Sequence, residues 1–368
     1  MNDVVVVGGG IMGLMAAREL RVRGREVMLL ERDQPGRQAS WASAGIIGKT
    51  HRNLIDPVQS LIRDGAFRFE RLAEELREET AVDIQYVERG DLIPAVTDDE
   101  AMHLKIETVR MASEGQTVEF VEGPQVNKAE PAVSRRIIAA RLQVGGQVEN
   151  RRLCQALETS CRRLGVKIEV GSTVSEVLSA SGRITGVRTL ERDIAADSVV
   201  LAAGSWSGQI RGADPVVPVV PQRGQILALG LRDVPLWRNV RPLGDPYIVP
   251  RPDGRVIVGA TREDAGYEAS LTARGMAWLL RSAIDLVPGL ADSPVLETWT
   301  GFRPKSPDDH PAIGRGNLEG LFYCTGHGPS GIAPAPASID LLMSWMFGTP
   351  PPIDPKPFDP RRFAAAAH

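Results

Sequence analysis

Apolar and polar positions change their period several times along the chain, and the clearest pattern lies in the first 31 residues. The run VVVV at 4–7 is a short β-branched segment of the kind that is buried on both faces of a parallel sheet. It leads through GGGIMG (8–13) into LMAARELRVRG, whose apolar residues recur at helical spacing up to Gly24. EVMLLE (26–31) resembles a second buried strand. The pattern therefore predicts one β-α-β unit.

Downstream, helical and strand patterns alternate. Residues 54–80 predict one long helix, and 216–300 are rich in strand patterns. The other predictions are strands in 84–96, a helix in 98–115, a loop at 123–131, a helix at 151–164, strands at 166–170 and 198–207, a hairpin at 175–189, and a strand, glycine-rich turn and helix in 320–348.

Composition and charge narrow the class of protein. A chain of 368 residues suggests two domains, and a net charge of −3 gives no reason to expect nucleic acid as a partner. No apolar run reaches the roughly 18 residues of a membrane span, and VVVVGGG runs directly into a glycine turn, unlike a signal peptide. Three scattered cysteines argue against a disulfide framework, and the five histidines lack metal-ligand spacing. We expect a cytoplasmic protein without a metal site.

The first β-α-β unit carries a dinucleotide-binding pattern. Gly8, Gly10 and Gly13 have G-x-G-x-x-G spacing, which permits a tight turn, close approach to a pyrophosphate and close helix–strand packing. The start of the helix offers N–H groups to phosphate, and Glu31, at the end of the second strand, can accept hydrogen bonds from a ribose diol. This motif alone does not distinguish NAD from FAD.

Two further segments favour FAD. GRQASWASAGIIG (36–48) is rich in small residues, which let the backbone lie against a large flat ligand, and Ser40 and Ser43 can donate to phosphate. The turn GHGPSG (326–331) precedes a predicted helix, whose N-terminus stabilises negative charge such as that of a reduced flavin. The alternatives are a closely packed helix start for the first segment, and a second phosphate loop or a helix cap for the other.

Arg303 lies between Phe302 and Pro304 in an apolar run. Burying an unpaired guanidinium costs several kcal/mol, so this position requires an anionic partner. The partner is either a fixed acid, such as Asp308 or Asp309, or a ligand that arrives and leaves.

Taken in order, these segments resemble the D-amino-acid oxidase-like family of FAD-dependent oxidoreductases, and within it the glycine oxidases. The segments that carry the resemblance span residues 4–332 and are VVVVGGGIMG, Glu31, SWASAG, LAAGSWS, PQRGQI, YIVPRPDGRVIVGAT, GFRPKSPDDHPAIG and GHGPSGI. The resemblance implies an α/β fold with a Rossmann-like FAD-binding domain and a second, mainly antiparallel-sheet substrate domain. The expected boundaries are 1–83, 145–212 and 301–350 for the first domain, 84–144 and 213–300 for the second, and 351–368 for a C-terminal tail.

The resemblance also implies roles for individual residues. Arg303 clamps the substrate carboxylate and Tyr247 supports it, as the catalytic pair. FAD binding is expected at Gly8, Gly10, Ile11, Met12, Gly13, Glu31, Arg32, Ser40, Ser43, Ala44, Gly45, Ile46, Val174, Ala203, Gly204, Trp206, His327, Gly328, Ser330, Gly331 and Ile332. We expect non-covalent FAD, because Gly301 and Phe302 stand where covalent-flavin members have a cysteine.

The substrate pocket is where this chain departs from its relatives. Its expected residues are Gly48, His51, Asp245, Arg262 and Pro329. Arg262 replaces a methionine and Pro329 replaces an arginine found in some members, while Asp245 adds a charge. These differences leave an amino acid as the expected substrate but put glycine itself in doubt.

The activity implied is FAD-dependent oxidative deamination of a small amino acid or N-methylated amine. Hydride passes from Cα to flavin N5, water hydrolyses the imine, and oxygen takes the electrons to give hydrogen peroxide. The alternative is a D-amino-acid or amine dehydrogenase that passes electrons to a quinone or a partner flavoprotein. A non-catalytic FAD subunit would be expected to lack the Tyr247–Arg303 pair, and a homo-oligomer is left open.

Overall fold

The computed structural model describes residues 2–50, 56–231, 234–244 and 246–366. The described chain forms two eight-stranded sheets, one two-stranded sheet and the helices that pack on them. The strands are β1 (Asn2–Val7), β2 (Val27–Glu31), β3 (Ile46–Gly48), β4 (Asp91–Ala95), β5 (Val118–Glu122), β6 (Ala139–Gln143), β7 (Gly145–Gln147), β8 (Lys167–Val170), β9 (Val174–Ala180), β10 (Arg183–Thr189), β11 (Asp193–Leu201), β12 (Val220–Gly230), β13 (Asn239–Val240), β14 (Tyr247–Pro250), β15 (Arg255–Gly259), β16 (Val295–Lys305), β17 (Ala312–Arg315) and β18 (Leu321–Thr325).

The α-helices are α1 (Ile11–Val22), α2 (Ala39–Ala42), α3 (Pro57–Ala66), α4 (Phe69–Thr80), α5 (Asp98–Ser113), α6 (Pro124–Ala129), α7 (Asn150–Arg163), α8 (Ala273–Leu286) and α9 (Ala335–Phe347). None of the helices in the described ranges has the length and apolar character needed to cross a lipid bilayer.

The first sheet is the nucleotide-binding layer expected from the β-α-β unit. Its strands run in the order β17-β18-β11-β1-β2-β8, with β1 parallel to both β2 and β11, and β9 and β10 continue from β11. Val4 and Val6 enter one hydrophobic core with α1 and α7, while Val5 and Val7 enter a second core on the other face. The prediction that this strand is buried on both faces is confirmed.

The second sheet has the order β16-β12-β15-β14-β13-β4-β6-β5 and is antiparallel except for the β13–β4 pair. Strand β16 pairs with β12 from Lys305 opposite Val220 to Val295 opposite Leu229. It therefore runs through the predicted domain boundary between residues 300 and 301. The division into domains stays a prediction.

One helix prediction was wrong in detail. The predicted helix at 54–80 is two helices within its described part, because the chain turns at Phe67 and Arg68, where the N–H of Arg68 donates to the carbonyl of Gly65. The turn brings Gly65 so close to α9 that a Cβ there would overlap the Ala333 carbonyl. Apolar spacing continues across the turn and therefore does not reveal it.

Other differences concern elements that the pattern missed. The predicted loop at 123–131 contains α6, which has Pro124 at its first position, where a missing N–H costs nothing. The strand-rich segment 216–300 contains α8, capped by Thr272, whose hydroxyl accepts from the N–H of Gly275. The glycine-rich turn 326–331 precedes α9 by several residues, since the helix begins at Ala335.

Candidate active site

A cavity of about 820 Å³ lies between the two large sheets. One end is formed by the carboxyl ends of β1, β2, β11 and β18, the position where open α/β sheets bind ligands. The other end is formed by the face of the second sheet. The cavity thus has a nucleotide end, at the first sheet, and a sheet end, at the second.

Glycines shape the nucleotide end. Gly8 has a φ of +103°, and a Cβ there would lie 2.5 Å from the carbonyl oxygen of Ala202. A Cβ at Gly13 would overlap the carbonyl oxygen of Gly8, so this glycine sets the distance between α1 and β1. Gly10 caps α1 without a side chain and lines the cavity, which leaves room for a phosphate at the helix start.

Glu31 is fixed by backbone donors. Its Oε2 accepts from the N–H of Gly9 at 2.6 Å, and its Oε1 accepts from the N–H of Asp33 at 2.9 Å. The side chain is buried but still reaches the cavity wall. A carboxylate at this position can accept hydrogen bonds from a ribose diol.

The serine loop beside α1 also fits phosphate. The hydroxyl oxygen of Ser40 accepts from the N–H of Ile11 at 3.0 Å and retains its proton for another acceptor. Ser43 donates to the carbonyl of Ser40 at 3.0 Å, so its proton is used within the loop. The guanidinium of Arg32 stacks on Trp206 at 3.5 Å from the ring centre. Together with the glycine turn, these groups suit the pyrophosphate and nucleoside of FAD.

The turn after β18 closes the middle of the cavity. The N–H of Gly328 donates to the carbonyl of Pro304 at 2.8 Å, and Lys305 forms a β-bridge with His327. The His327 Nε2 lies 3.1 Å from the Ser338 hydroxyl, and burial lowers the pKa of His327 to about 3. Its imidazole is therefore neutral at ordinary pH. Burial also raises the pKa of the Cys324 thiol to about 12.

At the sheet end, two side chains lie flat over glycines. A Cβ at Gly224 would lie 2.8 Å from Nη1 of Arg303, and a Cβ at Gly259 would lie 2.6 Å from the hydroxyl oxygen of Tyr247. Nη1 of Arg303 also donates to the carbonyl of Thr261 at 2.9 Å. The guanidinium and the phenol thus lie over the neighbouring strands β12 and β15, on the same wall of the cavity.

An acidic residue secures the segment that holds Arg303. Glu263 pairs with Arg223 and accepts from Gln225 at 2.7 Å and from the Thr261 hydroxyl. Burial raises the pKa of Glu263, but the hydrogen bonds from Thr261, Arg223 and Gln225 together outweigh it and lower that pKa. The carbonyl that orients Arg303 therefore belongs to a fixed segment.

Nearly all the residues predicted from the sequence meet in this one cavity. Asp308, one of the fixed acids considered for Arg303, instead accepts from Arg362 at 2.7 Å.

Gly13 packs behind the wall, and the predictions for His51 and Asp245 lie outside the described residues. The predicted residues on the wall are Gly8, Gly10, Ile11, Met12, Glu31, Arg32, Ser40, Ser43, Ala44, Gly45, Ile46, Gly48, Val174, Ala203, Gly204, Trp206, Tyr247, Arg262, Arg303, His327, Gly328, Pro329, Ser330, Gly331 and Ile332.

The wall residues that the sequence analysis missed include two arginines at the sheet end. Arg141 on β6 is almost fully buried and donates to Glu107 at 2.9 Å, and Arg241, which follows β13, donates to Asp91 at 2.6 Å. A single arginine within an apolar strand was the signal that drew attention to Arg303. The same signal is present in IAARLQV (138–144) and, more weakly, in NVRPLG (239–244).

Comparison with known proteins agrees with this geometry. The family profile "FAD dependent oxidoreductase" (DAO) matches residues 3–345. A glycine oxidase from Pseudomonas putida is 34% identical, and the match covers 98% of each chain. A bifunctional protein ThiO/ThiG from Trichormus variabilis is 32% identical over 94% of this chain and 52% of its own length. The chain thus spans about half the length of the bifunctional relatives it matches.

Comparison with solved structures also finds similarity to a glycine oxidase. The crystal structure of glycine oxidase from Geobacillus kaustophilus superposes with a TM-score of 0.92 at 28% identity, covering 97% of this chain and 98% of that one. The glycine turn, the fixed Glu31 and the open start of α1 provide the cofactor site that such a protein needs. The chain therefore belongs to the DAO family of FAD-dependent oxidoreductases.

Proposed function

We propose that the protein oxidises a small amino acid or an N-methylated amine that it holds by its carboxylate. The observation that carries the proposal is the convergence of Arg303 and Tyr247 over Gly224 and Gly259. A guanidinium offers two parallel donors to a carboxylate, and the phenol offers a third from the other side. The substrate is then held in one orientation, with its Cα–H directed away from this wall.

When bound, FAD supplies a hydride acceptor at flavin N5. Loss of the Cα hydride from a neutral amine leaves an iminium ion, and water hydrolyses it to an α-keto acid and ammonium, or methylammonium from an N-methylated substrate. Among the described wall residues, Glu31 is the only carboxylate, and it lies at the nucleotide end. The neutral His327 is packed against Ser338. Orientation and exclusion of water therefore supply the catalysis, and a general base near Cα is not part of the proposal.

Oxygen is the proposed electron acceptor, with hydrogen peroxide as the product. The alternative acceptor is a quinone or a partner flavoprotein. We also propose that the FAD is bound non-covalently. A cytoplasmic location stays a prediction, and the oligomeric state stays open.

Anaerobic bleaching of the flavin absorbance tests the reaction. We expect a panel that contains glycine, sarcosine and D-amino acids to include at least one compound that bleaches the purified protein. Admission of air then restores the colour if oxygen is the acceptor, and a colour that returns only with added quinone identifies the dehydrogenase. A flavin that no member of the panel bleaches would refute the proposed reaction.

A further inference from the structure

Arg241 lies directly across from Tyr247. Strands β13 and β14 pair antiparallel with Val240 opposite Ile248. Continued by one residue, this register places Arg241 opposite Tyr247, and side chains that are directly opposite leave a sheet on the same face. Both residues line the cavity. Tyr247 thus stands between two arginines, with Arg303 on one side and Arg241 on the other.

Arg241 is anchored through one nitrogen only. Its Nη1 donates to Asp91 Oδ2 at 2.6 Å, and Asp91 is fully buried, where it also accepts from Asn239 at 2.9 Å and from Gln143 at 3.3 Å. Within the described residues, Nε and Nη2 of Arg241 have no acceptor, and one third of the side chain is exposed. The guanidinium is therefore oriented by Asp91 and still has donors for a ligand.

Gly48, the last residue of β3, lies beside this guanidinium. A Cβ at Gly48 would lie 3.4 Å from Nη1 of Arg241, the near limit of ordinary van der Waals contact. Gly48 was predicted from the sequence as a residue of the substrate pocket, and it lines the same cavity. The two sides of the cavity therefore approach each other at Gly48 and Arg241.

The charge of the wall points to an acidic ligand. The arginines on the described wall at the sheet end are Arg141, Arg241, Arg262 and Arg303, while the single wall carboxylate, Glu31, lies at the nucleotide end. Arg141 is paired with Glu107. The carboxylate of a simple amino acid would occupy Arg303 and Tyr247 and leave the donors of Arg241 without an acceptor.

We propose that Arg241 binds a second acidic group of the substrate, so that the preferred substrate is an amino dicarboxylate. This inference rests on the proposed function and names its substrate class. Arg241 and Tyr247 stand on adjacent strands, about 5 Å apart at Cβ. The Tyr247 phenol lies over β15 and Nη1 of Arg241 reaches Asp91 on β4, so the two acidic groups are farther apart than these Cβ atoms. The second group is either an acidic side chain on Cα or a carboxymethyl group on the nitrogen.

The first test uses the wild-type holoenzyme and non-oxidisable acids. Succinate and glutarate are titrated against butyrate and valerate, and binding is followed by the change in the visible flavin spectrum. We expect the dicarboxylates to bind about tenfold or more tightly than monocarboxylates of equal length, since a charge-assisted hydrogen bond is gained. Equal affinities would overturn the inference without touching the proposed reaction.

The second test uses variants and anaerobic flavin reduction. Iminodiacetate and both enantiomers of aspartate and glutamate are compared with sarcosine and alanine. Arg241→Met should lower the ratio of dicarboxylate to monocarboxylate efficiency about tenfold or more, and Arg241→Lys should restore part of it. Arg238→Met is the matched control: Arg238 also pairs with a buried acid, Glu130, but does not line the cavity, so this ratio should not change.

The outcomes separate the two proposals. A preference for iminodiacetate places the second acid on nitrogen, and a preference for aspartate or glutamate places it on the side chain. Reduction by sarcosine or alanine with no dicarboxylate preference overturns this inference alone, whereas no reduction by any compound overturns the proposed function. Should Arg241→Met fold poorly because Asp91 is left charged, the double variant Asp91→Asn/Arg241→Met removes both charges and carries the same expectation.

Discussion

Arg303 and Tyr247 stand on strands three positions apart in the second sheet, yet their polar ends lie over adjacent strands. Each side chain crosses its neighbouring strand at a glycine. A side chain at either glycine would lift the guanidinium or the phenol away from the sheet. The spacing of the two groups is therefore set by residues that have no functional group of their own.

Gly224→Ala should weaken substrate binding while FAD is retained. The new Cβ would lie 2.8 Å from the Arg303 guanidinium, which must shift from its hydrogen bond to Thr261. We expect the substrate affinity measured by anaerobic flavin reduction to fall about tenfold, the effect of one misplaced charge-assisted bond. Gly244→Ala is the control, because a Cβ there meets no atom of the described residues within 4 Å although the residue also lines the cavity. Identical affinities in the two variants would contradict the clamp geometry.

Arg303→Lys should lose more substrate affinity than Gly224→Ala. Lysine keeps the positive charge but cannot form two parallel hydrogen bonds with a carboxylate. Arg303→Ala should cost about 3 kcal/mol in transition-state binding, which is more than a hundredfold in the second-order rate of flavin reduction. The FAD content, read from the visible spectrum, should match that of the wild type. Unchanged reduction kinetics would show that Arg303 has a structural role only.

Gly10→Val should yield mostly apoprotein. Position 10 lies on the cavity wall at the uncapped start of α1, so a branched side chain would occupy the space predicted for the pyrophosphate. The ratio of visible to protein absorbance after purification measures the occupancy. A far-ultraviolet circular dichroism spectrum equal to that of the wild type distinguishes lost binding from misfolding, and full FAD retention would be the contradicting result.

His327 should make stability fall at acidic pH. Burial lowers the pKa of His327 to about 3 in the folded protein, whereas the unfolded chain takes up its proton near 6.5. The folded state therefore binds fewer protons, and the stabilisation present above pH 6.5 is lost as the pH falls toward 3. Relative to His327→Asn, the wild type should lose about 2 kcal/mol of unfolding free energy between about pH 7.5 and about pH 5.

Urea unfolding of the two apoproteins at both pH values measures this difference. Ser338, the hydrogen-bond partner of His327, does not titrate in this range, and the amide of the substituted asparagine retains a donor for it. A difference between the two proteins that does not depend on pH would mean that the imidazole has the same pKa in the folded protein as in the unfolded chain.

The parts of the fold that the sequence predicted are those with local causes. The β1-α1-β2 unit follows from two apolar runs, a glycine turn and a helical repeat, all within 31 residues. The β14–β15 hairpin follows from Asp253 and Gly254 between two strand patterns. Because these signals lie within a few residues of the elements they define, tertiary packing did not override them.

The features that were missed depend on distant partners. The turn at Phe67 and Arg68 is imposed where Gly65 meets Ala333 on the approach to α9. Arg241 is oriented by its hydrogen bond to Asp91, 150 residues away in the chain. No local pattern reports such contacts. Arg303 was found only because its apolar surroundings and the family resemblance pointed to the same residue.

Strand β16 makes the protein sensitive to insertions and deletions that a loop would tolerate. Along this strand Trp299 donates to the carbonyl of Ala42 in α2. Arg303 lines the sheet end of the cavity, and Lys305 forms a β-bridge with His327. Substitutions alter these contacts one at a time. A single inserted or deleted residue would instead turn every following side chain to the opposite face. The turn at His327 and the proposed clamp residue Arg303 therefore both depend on the same alternation of side chains along β16.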